Sequence, residues 1–150
     1  MNITFQRENM SMDLIKEAMP LTRQHTQETD PFPTLKPGID WEAYMESDKA
    51  GILRAYTARN GSLLGYALFG IYVHPHYTDS LQASQDAVFI KPDSRNGLLG
   101  LKFMRWCDEQ LKNDGVSVIY QYSSNRRNIG PILKRLGYEH IQDLYARRLS

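Results

Sequence analysis

The chain has 150 residues, 41% hydrophobic and 23% charged, with a net charge of +1 and one cysteine, Cys107. This length suits a single domain that buries a core without disulfide or metal, and one cysteine excludes an internal disulfide and suits a reducing cytoplasm. Near-zero charge argues against gripping nucleic acid, and the sequence shows neither a signal-peptide core nor an apolar run long enough for a membrane span. In chain order, Ile3–Gln6 alternates and is expected as a short strand. Ser11 or Asp13 can cap a helix running to about Gln27, with Leu14, Ile15, Ala18 and Met19 on its apolar side. A loop over 29–38 is stiffened by three prolines. Asp40 then caps a short helix carrying Trp41, Tyr44 and Met45. Strands Ile52–Ala58 and Ser62–Val73 flank Asn60-Gly61, a favoured pair for a type I′ hairpin turn. Ala87–Ile90, ended by Pro92, is expected as a short buried strand. Leu101, Met104, Cys107 and Leu111 mark a helix over 98–111, which Asn113-Asp114-Gly115 stops. Val116–Tyr122 is rich in β-branched and aromatic residues and is expected as a strand. Arg126 or Asn128 opens a helix that tolerates Pro131 in its first turn and ends at Gly137. Tyr138–Leu149 is expected to supply a final strand pair.

The order predicts an α/β domain built on a mixed sheet. Its first half is antiparallel, and a right-handed parallel crossover follows. Charge is unevenly placed. Residues 28–48 carry Glu28, Asp30, Asp40, Glu42, Glu46 and Asp48 against Lys36, whereas Arg126, Arg127, Lys134, Arg135, Arg147 and Arg148 dominate the C-terminal part. These are two solvated faces, or walls that attract a cation and an anion.

The segment from Asp86 to Gly100 carries the most chemistry. A buried strand enters a polar loop that opens a helix. Unpaired N–H groups at such a helix start cradle phosphate oxygens, glycine permits close approach, and Arg95 brings positive charge. A plain strand-to-helix turn has the same spacing. Elsewhere, His74, His76 and Tyr77 sit together on a loop, where histidine can serve as base or substrate ligand, or simply be solvated. The i, i+2 histidine spacing lacks further nearby ligands, so no metal is expected. Cys107 and the tyrosines Tyr138 and Tyr145 read as core.

Arg95-Asn96-Gly97-Leu98-Leu99-Gly100 resembles the pyrophosphate loop of the GNAT superfamily of N-acetyltransferases, Arg/Gln-x-x-Gly-x-Gly/Ala. Arg95 and Gly100 match the outer positions. Leu98 stands at the middle glycine, and Gly97 lies one residue early. Leu133-Lys134-Arg135-Leu136-Gly137-Tyr138 is similar to the family's aliphatic–x–x–aliphatic–Gly–aromatic ending. The resemblance covers 52–149 well and the N-terminal third loosely. Leu81-Gln82-Ala83 with His76-Tyr77 resembles small bacteriophage-encoded members.

The resemblance implies a six- to seven-stranded sheet with helices on both faces and two splayed parallel central strands. It implies acetyl-CoA as co-substrate. The pyrophosphate would lie on Arg95, Asn96, Gly97, Leu98, Leu99 and Gly100, and the pantetheine arm along Val88, Phe89 and Ile90, with Asn125 or Asn128 touching it. The acceptor would be a primary amine on a small molecule or protein, and a homodimer is common among relatives. Asp86 matches the strand position of the general base in several relatives, although an Asp bonding loop backbone fits equally. The family's usual tyrosine acid is replaced by Leu133, which leaves Tyr122, or solvent, to protonate the thiolate. Family architecture places His25 and Trp41 near the substrate, and His76 and Tyr77 are further candidates. The alternatives are an acyl-CoA-binding protein without catalysis and an enzyme that modifies a nucleotide, a base or a host protein.

Overall fold

The computed structural model describes residues 2–35, 38–95 and 97–150. Strand β1 (Thr4–Arg7) leads into helices α1 (Met12–Thr29) and α2 (Trp41–Lys49), and strands β2 (Leu53–Asn60), β3 (Ser62–Val73) and β4 (Leu81–Ile90) follow. A 3-10 turn (Pro92–Ser94) precedes α3 (Leu99–Asn113), strand β5 (Val118–Tyr120) and α4 (Gly130–Arg135). The strands form one sheet in the order β1-β2-β3-β4-β5, antiparallel except for the β4–β5 pair.

Local chemistry explains the helices. Ser11 caps α1 by accepting from the Leu14 N–H at 3.1 Å, and Asp40 caps α2 by accepting from the Ala43 N–H at 3.0 Å. Leu14, Ile15, Ala18 and Leu21 form the buried stripe of α1, while Met19, expected on that stripe, lies exposed. Helix α3 buries Leu101, Phe103, Met104, Cys107 and Leu111. One core lies between α3 and the sheet, centred on Tyr56, Phe69 and Phe103; the other lies between α1, α2 and the opposite face, with Ile15, Leu68 and Phe89. Arg59 on β2 binds Glu8 and Glu17, which ties the β1–α1 connection to the sheet.

Two irregularities matter for the site. Leu68 pairs with Ala87 and Phe69 with Gln85, so Asp86 is the extra residue of a β-bulge in β4. The parallel ladder holds only Gln82↔Val118, Ala83↔Ile119 and Ser84↔Tyr120. Beyond Ser84 the two strands part, and the Gln85 carboxamide oxygen accepts the Tyr122 N–H at 2.7 Å.

Several expectations fail. Among the described residues no strand forms over 138–150, so the sheet has five strands, not six or seven. Ile141, Tyr145 and Leu149 share one parity but Leu144 falls on the other, so a strand here would leave apolar residues on both faces. Tyr145, expected in the core, is 89% exposed. The hairpin turn at Asn60-Gly61 is not type I′, because Gly61 alone takes positive φ, at +73°. Strand β4 begins at Leu81, well before Ala87.

Candidate active site

The bulge sets the centre of the site. It presents Asp86 toward α2, where the Tyr44 hydroxyl donates to Asp86 Oδ2 at 2.6 Å. Burial, with Asp86 adding to it, pushes the Tyr44 phenol well above its usual range, so it stays protonated. One carboxylate oxygen is thereby held, and Asp86 remains exposed to solvent.

Beside this pair, His25 from α1 stacks on Phe89 with centroids 5.0 Å apart and planes at 18°. Its Nδ1 lies 2.9 Å from the Tyr66 hydroxyl. Burial lowers the His25 pKa from its ordinary 6.5, with Arg95 adding to the effect and Glu28 and Asp86 opposing it. The imidazole is therefore uncharged at neutral pH. Burial also pushes the Tyr66 phenol far up. Trp41, at the start of α2, lies 6.0 Å from Tyr44 ring to ring. His25, Trp41, Tyr44, Tyr66 and Asp86 line one cavity of about 110 Å³ between α1, α2 and the sheet.

The strand-to-helix loop lies at the far end of β4. Its glycine Gly97 has φ +74°, a backbone state that side chains other than glycine seldom adopt. Leu98 is the N-cap of α3 and supplies no side-chain bond, and the first helical bond runs from the Lys102 N–H to the Leu98 carbonyl at 2.9 Å. The N–H groups of Leu99, Gly100 and Leu101 thus point out of the helix end, and no acceptor for them is found among the described residues. A Cβ on Gly100 would lie 3.7 Å from Ile90 Cδ1 and 3.9 Å from Ile132 Cδ1, ordinary packing distances. The fold therefore does not require glycine at 100.

Arg95 is more committed than its sequence position suggests. Its guanidinium makes two bonds to Glu28, at 2.9 and 2.8 Å, and its Nε donates to the Ile90 carbonyl at 2.8 Å. It also lies 5.2 Å from the Phe89 ring centre. The Arg95 pairing holds the Glu28 carboxyl below its usual range. This fork ties the last turn of α1, and so the wall carrying His25, to the loop before α3.

Other expected residues fall less centrally. Asn96 lies outside the described residues. Val88 and Ile90 pack toward the α3 core, and Phe89 toward α1. Asn128 Oδ1 accepts from the Ser123 hydroxyl at 3.0 Å and the Gly130 N–H at 2.8 Å, which shapes the start of α4. Asn125 is exposed. Tyr122 follows β5 on the open side of the splay and is 46% exposed. Leu133, at the position of the missing acid, is buried. His76 and Tyr77 are not brought to the site. They sit on the β3–β4 loop, at the end of β4 opposite Pro92, and line neither cavity beside Asp86. Sequence reasoning missed Tyr44 as the partner of Asp86 and Glu28 as the partner of Arg95. Tyr44 was visible only as an aromatic one turn after Trp41, and Glu28 only as part of the acidic stretch.

Among the described residues no group of three His, Cys, Asp or Glu side chains is placed to hold a metal ion, and no helix is long and apolar enough to cross a membrane. No protein-family model and no curated protein matches the chain. Solved structures do resemble it. A predicted acetyltransferase from Clostridium acetobutylicum, crystallised with acetyl-CoA, superposes with a TM-score of 0.75 at 13% identity, over 98% of this chain and 96% of that one. A ribosomal-protein-alanine N-acetyltransferase from Brucella melitensis gives 0.72 at 14% identity, over 99% and 100%. Glucosamine-6-phosphate N-acetyltransferase from Arabidopsis thaliana gives 0.73 at 9% identity, over all of both chains. At such identities the likeness establishes the fold, which is that of GNAT-type acetyltransferases.

Proposed function

We propose that the chain is an acetyl-CoA-dependent N-acetyltransferase acting on a primary amine. The observation that carries this reading is Gly100. Glycine stands in the first turn of α3, beside outward-facing N–H groups, where packing would accept alanine. A reason outside the fold is close approach of a ligand, and the donor set suits phosphate oxygens. The 97–101 segment would hold the pyrophosphate of acetyl-CoA, and the parted edge of β4 at Val88–Ile90 offers backbone groups to an extended pantetheine arm. A donor there would stabilise the oxyanion that develops on the thioester carbonyl. The co-substrate supplies the activated acetyl group; the chain's own residues bind, orient and move protons.

A free amine with pKa near 10.4 arrives protonated and must lose a proton before attack. Asp86 is the proposed base, directly or through water. Tyr44 fixes its rotamer and leaves Oδ1 for the proton. Tyr122 is the proposed acid for the departing thiolate, with solvent as the substitute.

Calorimetric titration of acetyl-CoA, together with release of free thiol in the presence of amines, tests the reading. No heat and no thermal shift at millimolar acetyl-CoA would overturn it. Asp86→Asn is expected to lower turnover by on the order of 100-fold while sparing acetyl-CoA affinity. Buried Leu133, in place of the family's tyrosine, favours a second reading in which the protein binds acyl-CoA without catalysis. Binding without turnover across a broad amine panel would establish it.

A further inference from the structure

The cavity beside Asp86 has an uneven chemistry. Its floor and roof are apolar, with Leu14 and Ala18 from α1 facing Leu68 and Ala87 from the sheet. Most of its polar side chains already have partners, although the Tyr56 hydroxyl, in the α3 layer, is buried without one among the described residues. His25 and Tyr66 bond to each other, and the Thr22 hydroxyl bonds to the Met19 carbonyl. Among the described residues that line it, Asp86 alone carries a formal charge, since burial keeps His25 neutral. The second, wider groove, of about 360 Å³, shares Tyr44 and Asp86 and again has Asp86 as its one charged described residue. The Tyr44–Asp86 pair therefore stands as a negative post between two largely apolar hollows.

Such a lining sorts ligands by chemistry. An ammonium is attracted to Asp86, with the Trp41 and Tyr44 rings close by to favour a cation. An apolar body is at home against Leu14, Ala18 and Leu68. A second positive charge finds no second acid, and a carboxylate or phosphate finds no cation among the described lining residues. Several hydroxyls would lose water without gaining partners. The volume of about 110 Å³ holds about four waters at roughly 30 Å³ each, which favours a compact body.

We infer that the acceptor is a compact monoamine with an apolar aryl or alkyl body, its nitrogen held at Asp86 and its body in the cavity beneath α1. This rests on the transferase reading only for the word acceptor; the binding preference stands apart from it. Amino sugars and peptide lysines are excluded as preferred ligands.

The test uses the full chain without acetyl-CoA and titrates 2-phenylethylamine, 2-phenylethanol and glucosamine by calorimetry. 2-Phenylethylamine is expected to bind at least tenfold more tightly than glucosamine. Thr22→Leu, which adds apolar bulk to the cavity wall, should weaken it tenfold or more with no loss of thermal stability. Asp86→Asn should erase the preference for amine over alcohol while leaving 2-phenylethanol affinity unchanged. Glucosamine binding as tightly as 2-phenylethylamine would overturn the inference, as would an unchanged affinity in Thr22→Leu. Acetylation of a lysine peptide in preference to 2-phenylethylamine would overturn it as well. If 2-phenylethylamine binds as expected and acetyl-CoA does not, the transferase reading falls and the ligand assignment stands. If acetyl-CoA binds and glucosamine is the better acceptor, the ligand assignment alone falls.

Discussion

Gly100→Ala separates what the fold needs from what a ligand needs. The new methyl group would sit 3.7 Å from Ile90 Cδ1 and 3.9 Å from Ile132 Cδ1, so nothing has to move. Alanine in a helical turn is favoured over glycine by up to about 1 kcal/mol, partly because the unfolded chain loses freedom. For a domain of this size that raises Tm by roughly 2–4 °C. The same methyl group stands where phosphate oxygens would approach the first-turn N–H groups. Loss of one charge-assisted hydrogen bond costs about 1.5–3 kcal/mol, which weakens acetyl-CoA binding by about 10- to 100-fold. The assay is a thermal melt paired with calorimetric titration of acetyl-CoA on the same preparation. A variant that is as stable as wild type, or more so, and binds poorly is the expected result. Wild-type affinity in Gly100→Ala would refute the reasoning, because the glycine would then have no ligand to make room for.

Other substitutions probe the surrounding frame. Gly65→Ala places a Cβ 2.6 Å from the Phe89 carbonyl oxygen and 2.9 Å from Ile90 Cγ1, so β3 and β4 must shift; denaturant melts should show a loss of about 1–3 kcal/mol. Glu28→Gln breaks the fork to Arg95, whose partners are 26% and 21% exposed. The cost should be about 1–2 kcal/mol, between a surface pair and a buried one, and Glu28→Gln, Arg95→Gln and the double variant form a cycle that isolates the pair. His25 has a folded pKa below 6.5, so the unfolded chain binds more protons as pH falls through that value, and stability should drop as pH falls below it. Asp108, whose carboxyl burial raises to about 6, works in the opposite direction below that pH. Melts from pH 7.5 to 5 are therefore compared between wild type and His25→Gln, and the variant should lose less stability on acidification; equal losses would contradict a buried neutral imidazole.

Helices were readable from sequence because their signals are local. Ser11, Asp40 and the spacing of Leu101, Met104, Cys107 and Leu111 all act within a few residues. Strand β4 was read short because Gln82, Ser84, Gln85 and Asp86 break the apolar run that marks its second half. Of these, Gln85 takes the Tyr122 N–H at the splay and Asp86 takes the Tyr44 hydroxyl at the bulge, so their polarity reflects the site and not a turn. The expected final strand pair did not form: after Tyr138 the large apolar residues are sparse, and Ile141, Leu144, Tyr145 and Leu149 are all exposed. The cofactor-loop motif survived in sequence because its spacing is short. Tyr44–Asp86 and Glu28–Arg95 did not, because the residues are 42 and 67 positions apart and meet only when α1 and α2 close over the sheet.

Asp86 also acts as a change of parity. Ahead of it, odd-numbered Ala83 faces α3; past it, even-numbered Val88 and Ile90 do, and Phe89 turns to α1. The residue that bears the carboxylate is the same one that offsets the strand by a single step. Exchanging its side chain alters only the local chemistry. Removing the residue altogether would erase the bulge and leave Phe69↔Gln85 and Leu68↔Ala87 as consecutive pairs of a regular ladder, with Val88, Phe89 and Ile90 still on their present layers. The carboxylate is thus carried on a residue that the ladder itself does not need, and the bulge would persist even if its acid played no part in any reaction.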